Sequence, residues 1–409
     1  MKIPFSPPDI TENEINAVAE ALRSGWITTG PRTKEFERRI AELCHTSKAV
    51  CLNSATACME RILRILGVGK GDEVILPAFT CVVVPNAIKY LGATPVYTDI
   101  DPDTYNADIA GIEKAISPRT KVIICQNTFG LSSNVDAIHR LARQHHIYTI
   151  EDCTHGFGGT YKGKPNGTYC DAAFYSTQWN KPFSTGVGGF AFIQNEMLEQ
   201  NLVAINSRLE RPSVKNTLSL GMLYFVREKI LSDKCYWYMI SLYRWLSKHQ
   251  LVQGSSSGIE LCSLTQPQHY FKAMSAIQMK KGLQNVKKLP DIMQLRKHNA
   301  RLYNDYLLKH NKTFVNPQLF PDHAFLKYPV LVRQKDKVLA LAEKQHIPLG
   351  EWFCSPIHPI EENYEKWDLQ ATLFPVALEK SQQILNLPTD EKNIEKILQF
   401  LDNINEFLI

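Results

Sequence analysis

The chain has 409 residues and a mass of 46.5 kDa, which is enough for two or three domains at roughly 150 residues each. Hydrophobic residues make up 44% of it and charged residues 21%, a composition that excludes disordered and collagen-like proteins. The net charge of +5 is small for this length, which argues against a dedicated nucleic-acid-binding protein.

The cysteines and the apolar segments narrow the class further. None of the ten cysteines belongs to a CxxC pair, so zinc-ribbon and thioredoxin sites are excluded by spacing and we expect no metal. Several cysteines lie in apolar runs, as reduced core residues do. The first residues show no secretory signal, and no uncharged apolar stretch reaches the roughly 18 residues needed to span a bilayer. We therefore expect a cytoplasmic enzyme.

The first 200 residues alternate between two kinds of pattern. A capping-box spacing at Thr11–Glu14 predicts a helix that ends at Ser24-Gly25. Short β-branched runs then predict strands at 49–52, 73–76, 94–98, 121–125, 147–150, 170–175 and 188–193. Helical patterns lie between most of them, at 56–66, 83–91, 108–117 and 134–145. Such alternation predicts an α/β fold with a mostly parallel sheet covered by helices on both faces.

The second half departs from this alternation. Residues 201–265 are rich in aromatic and basic side chains and end in a flexible Gly/Ser loop at 253–258. A long helical pattern runs from 271 to 308, followed by strand-like residues at 325–332 and helical residues at 391–407. We predict a large domain over 1–200, a helical insertion over 201–265, and a long helix with a small α+β domain over 266–409.

Two motifs follow predicted strands. Asn53-Ser54-Ala55-Thr56 lies at a helix start, where free amides and hydroxyls suit a phosphate, although an ordinary N-cap explains the string equally well. Glu151-Asp152-Cys153-Thr154-His155 ends another strand, where carboxylates face the ligand crevice of open α/β sheets. A structural carboxylate that caps the next segment is the alternative reading of the second motif.

Two further motifs are loops. Lys181 lies between two strand-like runs and is followed by Gly186, Gly188 and Gly189. A lysine buried in such a turn loses charge and becomes nucleophilic toward an aldehyde, whereas most lysines are solvated surface residues. Residues 24–31 form a loop with an aromatic side chain and hydroxyl groups. These side chains would line a pocket, or the loop is a helix stop followed by a packed turn.

Together these motifs resemble a known family. A phosphate turn, then an aspartate, then a lysine about thirty residues later is the order found in fold-type-I pyridoxal-phosphate enzymes, whose large domain holds a mostly parallel seven-stranded sheet. The sequence is similar to the DegT/StrS family of nucleotide-sugar aminotransferases over nearly the whole chain except 201–265. The matching stretches are 25–31, 71–77, 92–96, 101–105, 118–121, 151–152, 161–163, 274–278 with Gly282, and 386–388.

The resemblance implies a role for individual residues. Lys181 would form the internal aldimine with pyridoxal 5'-phosphate and shuttle the proton, through a pyridoxamine intermediate. Asp152 would pair with the protonated ring nitrogen and His155 would contact the phenolic oxygen. The phosphate would be held by a group of four residues, Ser54, Ala55, Thr56 and Ser176. Trp26, Thr28 and Gln178 are the expected substrate contacts.

The sequence departs from the family at several positions. Cys81 replaces the aromatic residue that stacks on the cofactor ring, and Trp179 and Phe79 are candidates to supply the missing face. The histidine usual three residues before the lysine is Gln178, and the acidic residue of the glycine turn is Val187. The asparagine and arginine that reach the partner subunit's site in the family align with Phe271 and Ala273.

The resemblance implies a homodimeric aminotransferase that moves an amino group, with glutamate as the expected donor, onto a nucleotide-linked keto-sugar for polysaccharide or secondary-metabolite synthesis. A pyridoxal-phosphate-dependent sugar dehydratase is one alternative, although Lys181 favours transamination. A non-catalytic regulatory or scaffold relative is another, suggested by Cys81, Gln178 and Val187.

The insertion has two interpretations. Between 207 and 250 the sequence holds eight basic, three acidic and seven aromatic residues. A helical flap that contacts a membrane surface or a lipid-linked sugar fits this composition. A helical hairpin packed on the dimer or over the active site fits it as well.

Overall fold

The computed structural model describes residues 31–206, 209–226, 263–267 and 270–409. The first predicted helix, residues 24–30 and most of the insertion lie outside these ranges. None of the described helices is both long and apolar enough to cross a lipid bilayer.

Thirteen strands occur in the described ranges. In chain order they are β1 (Val50–Leu52), β2 (Glu73–Pro77), β3 (Thr80–Cys81), β4 (Thr94–Thr98), β5 (Thr120–Gln126), β6 (Tyr148–Asp152), β7 (Thr160–Tyr161), β8 (Lys164–Pro165), β9 (Ala172–Ser176), β10 (Gly189–Ile193), β11 (Lys327–Leu331), β12 (Ile357–His358) and β13 (Ile384–Pro388). All seven strands predicted in the first 200 residues are present, each with bounds shifted by two residues or fewer.

Twelve α-helices occur in the same ranges. They are α1 (Pro31–Leu43), α2 (Ala55–Ile65), α3 (Val83–Tyr90), α4 (Ile109–Ala115), α5 (Val135–Gln144), α6 (Glu196–Asn206), α7 (Val214–Phe225), α8 (Ala276–Val286), α9 (Leu289–Lys309), α10 (Lys335–Lys344), α11 (Pro375–Gln383) and α12 (Ile394–Asn403). The four helices predicted between the early strands are confirmed as α2 to α5. Helix α1 was not predicted, although Phe36 and Ile40, four residues apart, are fully buried in the core.

The main sheet has seven strands in the order β1-β10-β9-β6-β5-β2-β4. Its β4, β2, β5, β6 and β9 pair parallel, and β10 is antiparallel to both of its neighbours. Strand β1 therefore runs in the same direction as the parallel strands. This confirms the α/β, fold-type-I sheet, and it brings the carboxyl ends of six strands to one edge.

A second, two-stranded sheet pairs β11 antiparallel to β13. Its own core is formed by buried side chains of α9, β11 and α12, with Tyr303, Tyr328 and Phe400 fully buried. Several contacts join this part of the chain to the first 200 residues, and two of them bear on the site. Ala324 and Leu326 donate backbone N–H bonds of 2.9 Å to Gly130 and Phe129, and β12 pairs parallel with β3.

The prediction of one long helix over 271–308 was wrong. Residues 271–275 precede α8, and α8 and α9 are separate helices that meet at Lys287-Lys288. Pro290 is the physical reason, because a proline lacks the N–H for an intrahelical bond and is favoured in the first turn of a new helix. Ser275 and Gln278 form the capping box that starts α8.

Candidate active site

The predicted site residues follow strands that end at the same edge of the main sheet. Residues 53–56 follow β1, Asp152 ends β6, and Ser176 ends β9. Strands β6 and β9 are direct neighbours, so Asp152 and Ser176 belong to adjacent strand ends. The structure thus brings together motifs that lie up to 123 residues apart, from Asn53 to Ser176, because parallel strands present their carboxyl ends on one side.

The start of helix α2 has the geometry expected for an anion. Ser54 is the N-cap in extended conformation, and its Oγ accepts the N–H of Ala57 at 3.0 Å. Its own hydroxyl hydrogen remains available to donate. The first amides of a helix have no intrahelical acceptor, so the N–H groups of Ala55 and Thr56 can bind a phosphate together with that hydroxyl.

Ser176 is held next to this helix start by Gly189. The two residues are register partners in β9 and β10. A Cβ added at Gly189 would lie 2.6 Å from Ala55 Cα and 2.6 Å from the Tyr175 carbonyl oxygen, so only glycine permits this approach. Ser176 is 5% exposed. Ser176 is therefore the register partner of the glycine that packs against the start of α2.

Lys181 lies in a closed loop between β9 and β10. The N–H of Thr177 donates to the carbonyl of Gly188, the N–H of Thr185 donates to the carbonyl of Thr177, both at 2.9 Å, and the two threonine hydroxyls are 2.6 Å apart. The N–H of Lys181 donates to the carbonyl of Gln178 at 3.1 Å. The loop is therefore cross-linked at its base, and Lys181 is carried on a defined turn.

The amine of Lys181 is easier to deprotonate than that of an ordinary lysine. Burial lowers its pKa to about 8, and the positive charge of Lys327 acts in the same direction. The carboxylate of Asp152, and to a smaller degree the thiol of Cys81, oppose this shift. About a tenth of the amine is thus neutral at pH 7, far more than for an ordinary lysine, and the neutral amine is the form that attacks an aldehyde.

The two adjacent carboxylates of β6 have different surroundings. Glu151 is fully buried and accepts bonds from Asn127 Nδ2 at 2.9 Å and from the Gly167 N–H at 2.7 Å. Burial raises its pKa to about 7. Asp152 accepts the N–H of Thr154 at 2.9 Å, and burial raises its pKa while the Lys181 charge lowers it. Asp152 therefore caps the next segment, and its charge also acts on Lys181. Its role toward a ligand stays a prediction.

His155 is neutral and its tautomer is set by the backbone. Burial, followed by the charges of Lys181 and Lys327, holds its pKa well below the usual value for histidine. Its Nδ1 accepts the N–H of Phe129 at 3.3 Å, so the proton of the neutral ring is on Nε2. His155 thus presents one N–H donor opposite the backbone contact.

The two candidates for the missing aromatic face, Phe79 and Trp179, have different surroundings. Phe79 is fully buried in a cluster with Tyr105 and Phe353. Trp179 packs edge-on against Tyr224 at 5.1 Å. Cys81 is partly exposed and its charged form interacts with Lys181.

Sequence reasoning missed two residues of the site. Trp352 lies 4.6 Å from the Lys181 Nζ, measured to its ring centroid, and Lys327 interacts electrostatically with Lys181 and His155. Both come from the last third of the chain, and no local motif marks them. Their positions depend on the links between the two sheets.

The expected substrate contacts are only partly described. Trp26 and Thr28 lie outside the described residues. Gln178 is half-buried on the loop that carries Lys181, and its N–H lies 3.4 Å from Ser176 Oγ. Phe271 stacks under the guanidinium of Arg61 at 3.7 Å, and the buried Ala273 donates its N–H to the Glu210 carbonyl.

The described part of the insertion packs on the Lys181 loop. In α7, Tyr224 contacts Trp179, and a Cβ added at Gly186 would lie 2.8 Å from Leu220. The opposite side of α7 is exposed: Val214, Leu218, Met222 and Phe225 are 60–76% accessible. This contact agrees with the interpretation of a helix packed over the site, and membrane contact stays an untested alternative.

The sequence matches the model of the DegT/DnrJ/EryC1/StrS aminotransferase family over residues 8–217 and 267–399. The interval between the two matched blocks falls largely within the predicted insertion. The match covers most of the chain and confirms the resemblance that the motifs indicated.

Individual relatives agree with the family match. The chain is 30% identical over 396 residues to the spore coat polysaccharide biosynthesis protein SpsC of Bacillus subtilis, covering 94% of this chain and 92% of that protein. It is 43% identical over 196 residues to a UDP-4-amino-4-deoxy-L-arabinose–oxoglutarate aminotransferase of Shewanella sediminis, which is 48% of this chain and half the length of that relative. A putative sugar aminotransferase of Streptococcus pneumoniae, Spr1654, in its PLP form, superposes with a TM-score of 0.70 at 28% identity over 99% of both chains.

Proposed function

This chain belongs to the DegT/DnrJ/EryC1/StrS aminotransferase family, and from that premise we propose that it is a pyridoxal-phosphate-dependent aminotransferase acting on a nucleotide-linked keto-sugar. The expected amino donor is glutamate. The observation that supports the assignment is the partly buried Lys181 amine, with its pKa lowered to about 8, interacting with Asp152 next to an anion-binding helix start.

The donors present fit the chemical groups of the cofactor. The amides of Ala55 and Thr56 with the hydroxyls of Ser54 and Ser176 suit a phosphate. Asp152, buried and 3% exposed, is an acceptor for a protonated ring nitrogen. The single N–H of neutral His155 is a donor for a phenolic oxygen. No other group of the cofactor requires a charged partner, so the residues fit it.

The cofactor, when bound, supplies an electron-accepting ring that stabilises negative charge on the carbon that loses a proton. Residues of the chain supply the proton transfer and the charge that the ring requires. The Lys181 Nζ would hold the cofactor through its aldehyde and would take and return the proton, which a pKa of about 8 permits near neutral pH. The Asp152 carboxylate would keep the ring nitrogen protonated, because a buried negative charge favours the cation.

The substrate class rests on the relatives together with local charge. The Shewanella relative is named for a UDP-linked amino sugar and oxoglutarate, and a GDP-perosamine synthase of Escherichia coli is 37% identical over 197 residues. Oxoglutarate is the keto acid that glutamate becomes on losing its amino group. Lys327 adds a second cation near Lys181 and His155, and a cation there favours anionic substrates such as amino-acid carboxylates.

We place the reaction in the cytoplasm and propose a homodimer. The eight described cysteines are free thiols, as expected in a reducing compartment. Sedimentation of the purified protein would measure the dimer directly, and a monomeric active enzyme would contradict it.

A labelling experiment tests the function. Purified protein with pyridoxal phosphate would be incubated with ¹⁵N-glutamate and a panel of nucleotide-linked keto-sugars, and the products analysed by mass spectrometry. We expect the label in an amino sugar. A dehydratase would release water without transferring the label, and a scaffold protein would take up no cofactor and turn over nothing.

Two substitutions connect this activity to the site. Lys181→Ala should abolish turnover and shift the absorbance of the bound cofactor, whereas Asp152→Ala should bind the cofactor weakly without turnover. Lys164→Ala, at an exposed lysine of β8, is the matched control and should remain active. Full activity of the Lys181 or Asp152 variant would refute the assigned roles.

A further inference from the structure

Trp352 is the aromatic side chain that the structure places over Lys181. The Lys181 Nζ lies 4.6 Å from its ring centroid. On the same indole, the ring of His155 is stacked at 4.9 Å with an angle of 8° between the planes. The indole therefore contacts two residues that the proposed function assigns to the cofactor.

The backbone of Trp352 is held in place by one buried side chain. The N–H of Trp352 donates to Asn386 Oδ1 at 2.8 Å, and Asn386 Nδ2 donates to the Trp352 carbonyl at 2.9 Å. The backbone of Asn386 in turn exchanges bonds of 2.8 and 2.9 Å with Gly350. Asn386 is fully buried in β13. The Trp352 loop is thus tied to the second sheet by four hydrogen bonds.

The neighbouring residue anchors the other side of this loop. Phe353 is 4% exposed and packs on Phe129 and Phe79, with ring centroids at 6.1 and 5.2 Å. Trp352 itself is only partly buried. Since Phe353 fills the core and Asn386 fixes the backbone, the indole of Trp352 lies against Lys181 and His155 and is not fully buried by them.

Position 81 provides no comparable surface. Cys81 is small, and it is the register partner of His358, six residues after Trp352. The segment that carries the indole therefore runs alongside the strand that carries Cys81. The aromatic surface near the reactive amine comes from the second sheet's loop and not from β3.

We propose that Trp352 is the aromatic wall of the cofactor site, that its indole packs on the planar ring of the cofactor held at Lys181, and that Asn386 is the residue that positions it. This inference rests on the proposed function. A flat, electron-poor ring is a favourable partner for an indole face, and aromatic pairs of this kind change affinity by about 2- to 12-fold.

The test measures cofactor binding independently of turnover. Dissociation constants for pyridoxal phosphate would be determined by equilibrium dialysis, and visible circular dichroism of the bound cofactor would report its asymmetric surroundings. We expect about 10-fold weaker binding and an altered dichroism band for Trp352→Ala. Trp352→Phe keeps an aromatic face and should stay within about 3-fold of the unsubstituted protein. Asn386→Ala should weaken binding in the same direction as Trp352→Ala.

Trp367→Phe is the matched control. Trp367 is 2% exposed and its Nε1 donates to Asn86 Oδ1 at 2.7 Å. The proposal gives it no role toward the cofactor, so its variant should bind the cofactor as the unsubstituted protein does. Unchanged affinity and dichroism in Trp352→Ala would overturn the inference. If the alanine variant is poorly folded, a loss of about 10-fold in a folded Trp352→Phe variant would overturn it as well, because that variant keeps an aromatic face. If the unsubstituted protein itself bound no pyridoxal phosphate, the proposed function would fail instead.

Discussion

Substituting Asp152 by asparagine tests the electrostatics of the site most directly. Burial and the Lys327 charge lower the pKa of Lys181 to about 8, and the Asp152 carboxylate raises it. Asparagine keeps the volume and removes the negative charge. The protonated amine then loses its counter-charge, so the pKa of Lys181 must fall further.

The expected magnitude follows from the charge that is removed. A nearby opposite charge shifts a pKa by roughly one unit or more, so the pKa of Lys181 should fall from about 8 to about 7 or below in Asp152→Asn. At pH 7 the neutral fraction of the amine is about a tenth for a pKa of 8 and about half or more below a pKa of 7. Lys327→Met removes a like charge and should have the opposite effect, raising the pKa and lowering the neutral fraction.

Competitive acetylation of the cofactor-free protein measures this fraction. Trace acetic anhydride would be applied between pH 5 and 11 with a lysine peptide as internal standard, and the Lys181 peptide quantified by mass spectrometry. The midpoint should move down in Asp152→Asn and up in Lys327→Met. A midpoint near 10.5 in the unsubstituted protein, or a shift of the same sign in both variants, would refute the reasoning.

Two further predictions concern single contacts. Gly189→Ala should destabilise the protein by about 1–3 kcal/mol and weaken cofactor binding, because its Cβ would meet Ala55 Cα and the Tyr175 carbonyl oxygen at 2.6 Å. Thermal unfolding would measure the stability, and equilibrium dialysis would measure the binding. The control is Gly69→Ala, whose Cβ would meet nothing within 4 Å. Equal stability of the two glycine variants would contradict the packing argument. His155→Gln, which keeps an N–H donor, should retain more turnover than His155→Ala. Since the pKa of His155 lies well below its usual value, the activity of the unsubstituted enzyme should show no change near pH 6.5 that reports a titrating histidine, that is, no histidine limb in its pH profile. Such a limb, abolished in His155→Gln, would show that His155 titrates in the working range.

The strand and helix pattern of the first 200 residues could be predicted because it is local. Alternating β-branched runs and amphipathic stretches placed β1, β2, β4, β5, β6, β9 and β10 with bounds close to those observed. The prediction of one long helix over 271–308 was wrong at Pro290. The helical pattern continues through this position, but a proline there is a local signal for the start of a new helix. Helix α1 was missed although its apolar spacing was readable.

The sequence by itself determined which residues carry the proposed chemistry, since Ser54, Asp152, His155 and Lys181 each lie in a short motif whose position in the chain has a recognisable order. Only the tertiary structure decided the electrostatic and aromatic surroundings of the amine. The pairing of β12 with β3 and of residues 324–326 with Phe129 and Gly130 brings Trp352 and Lys327 near Lys181, and Asn386 holds the backbone of Trp352. Burial and charge depend on distances between segments far apart in the chain, and no local pattern of residues encodes those distances.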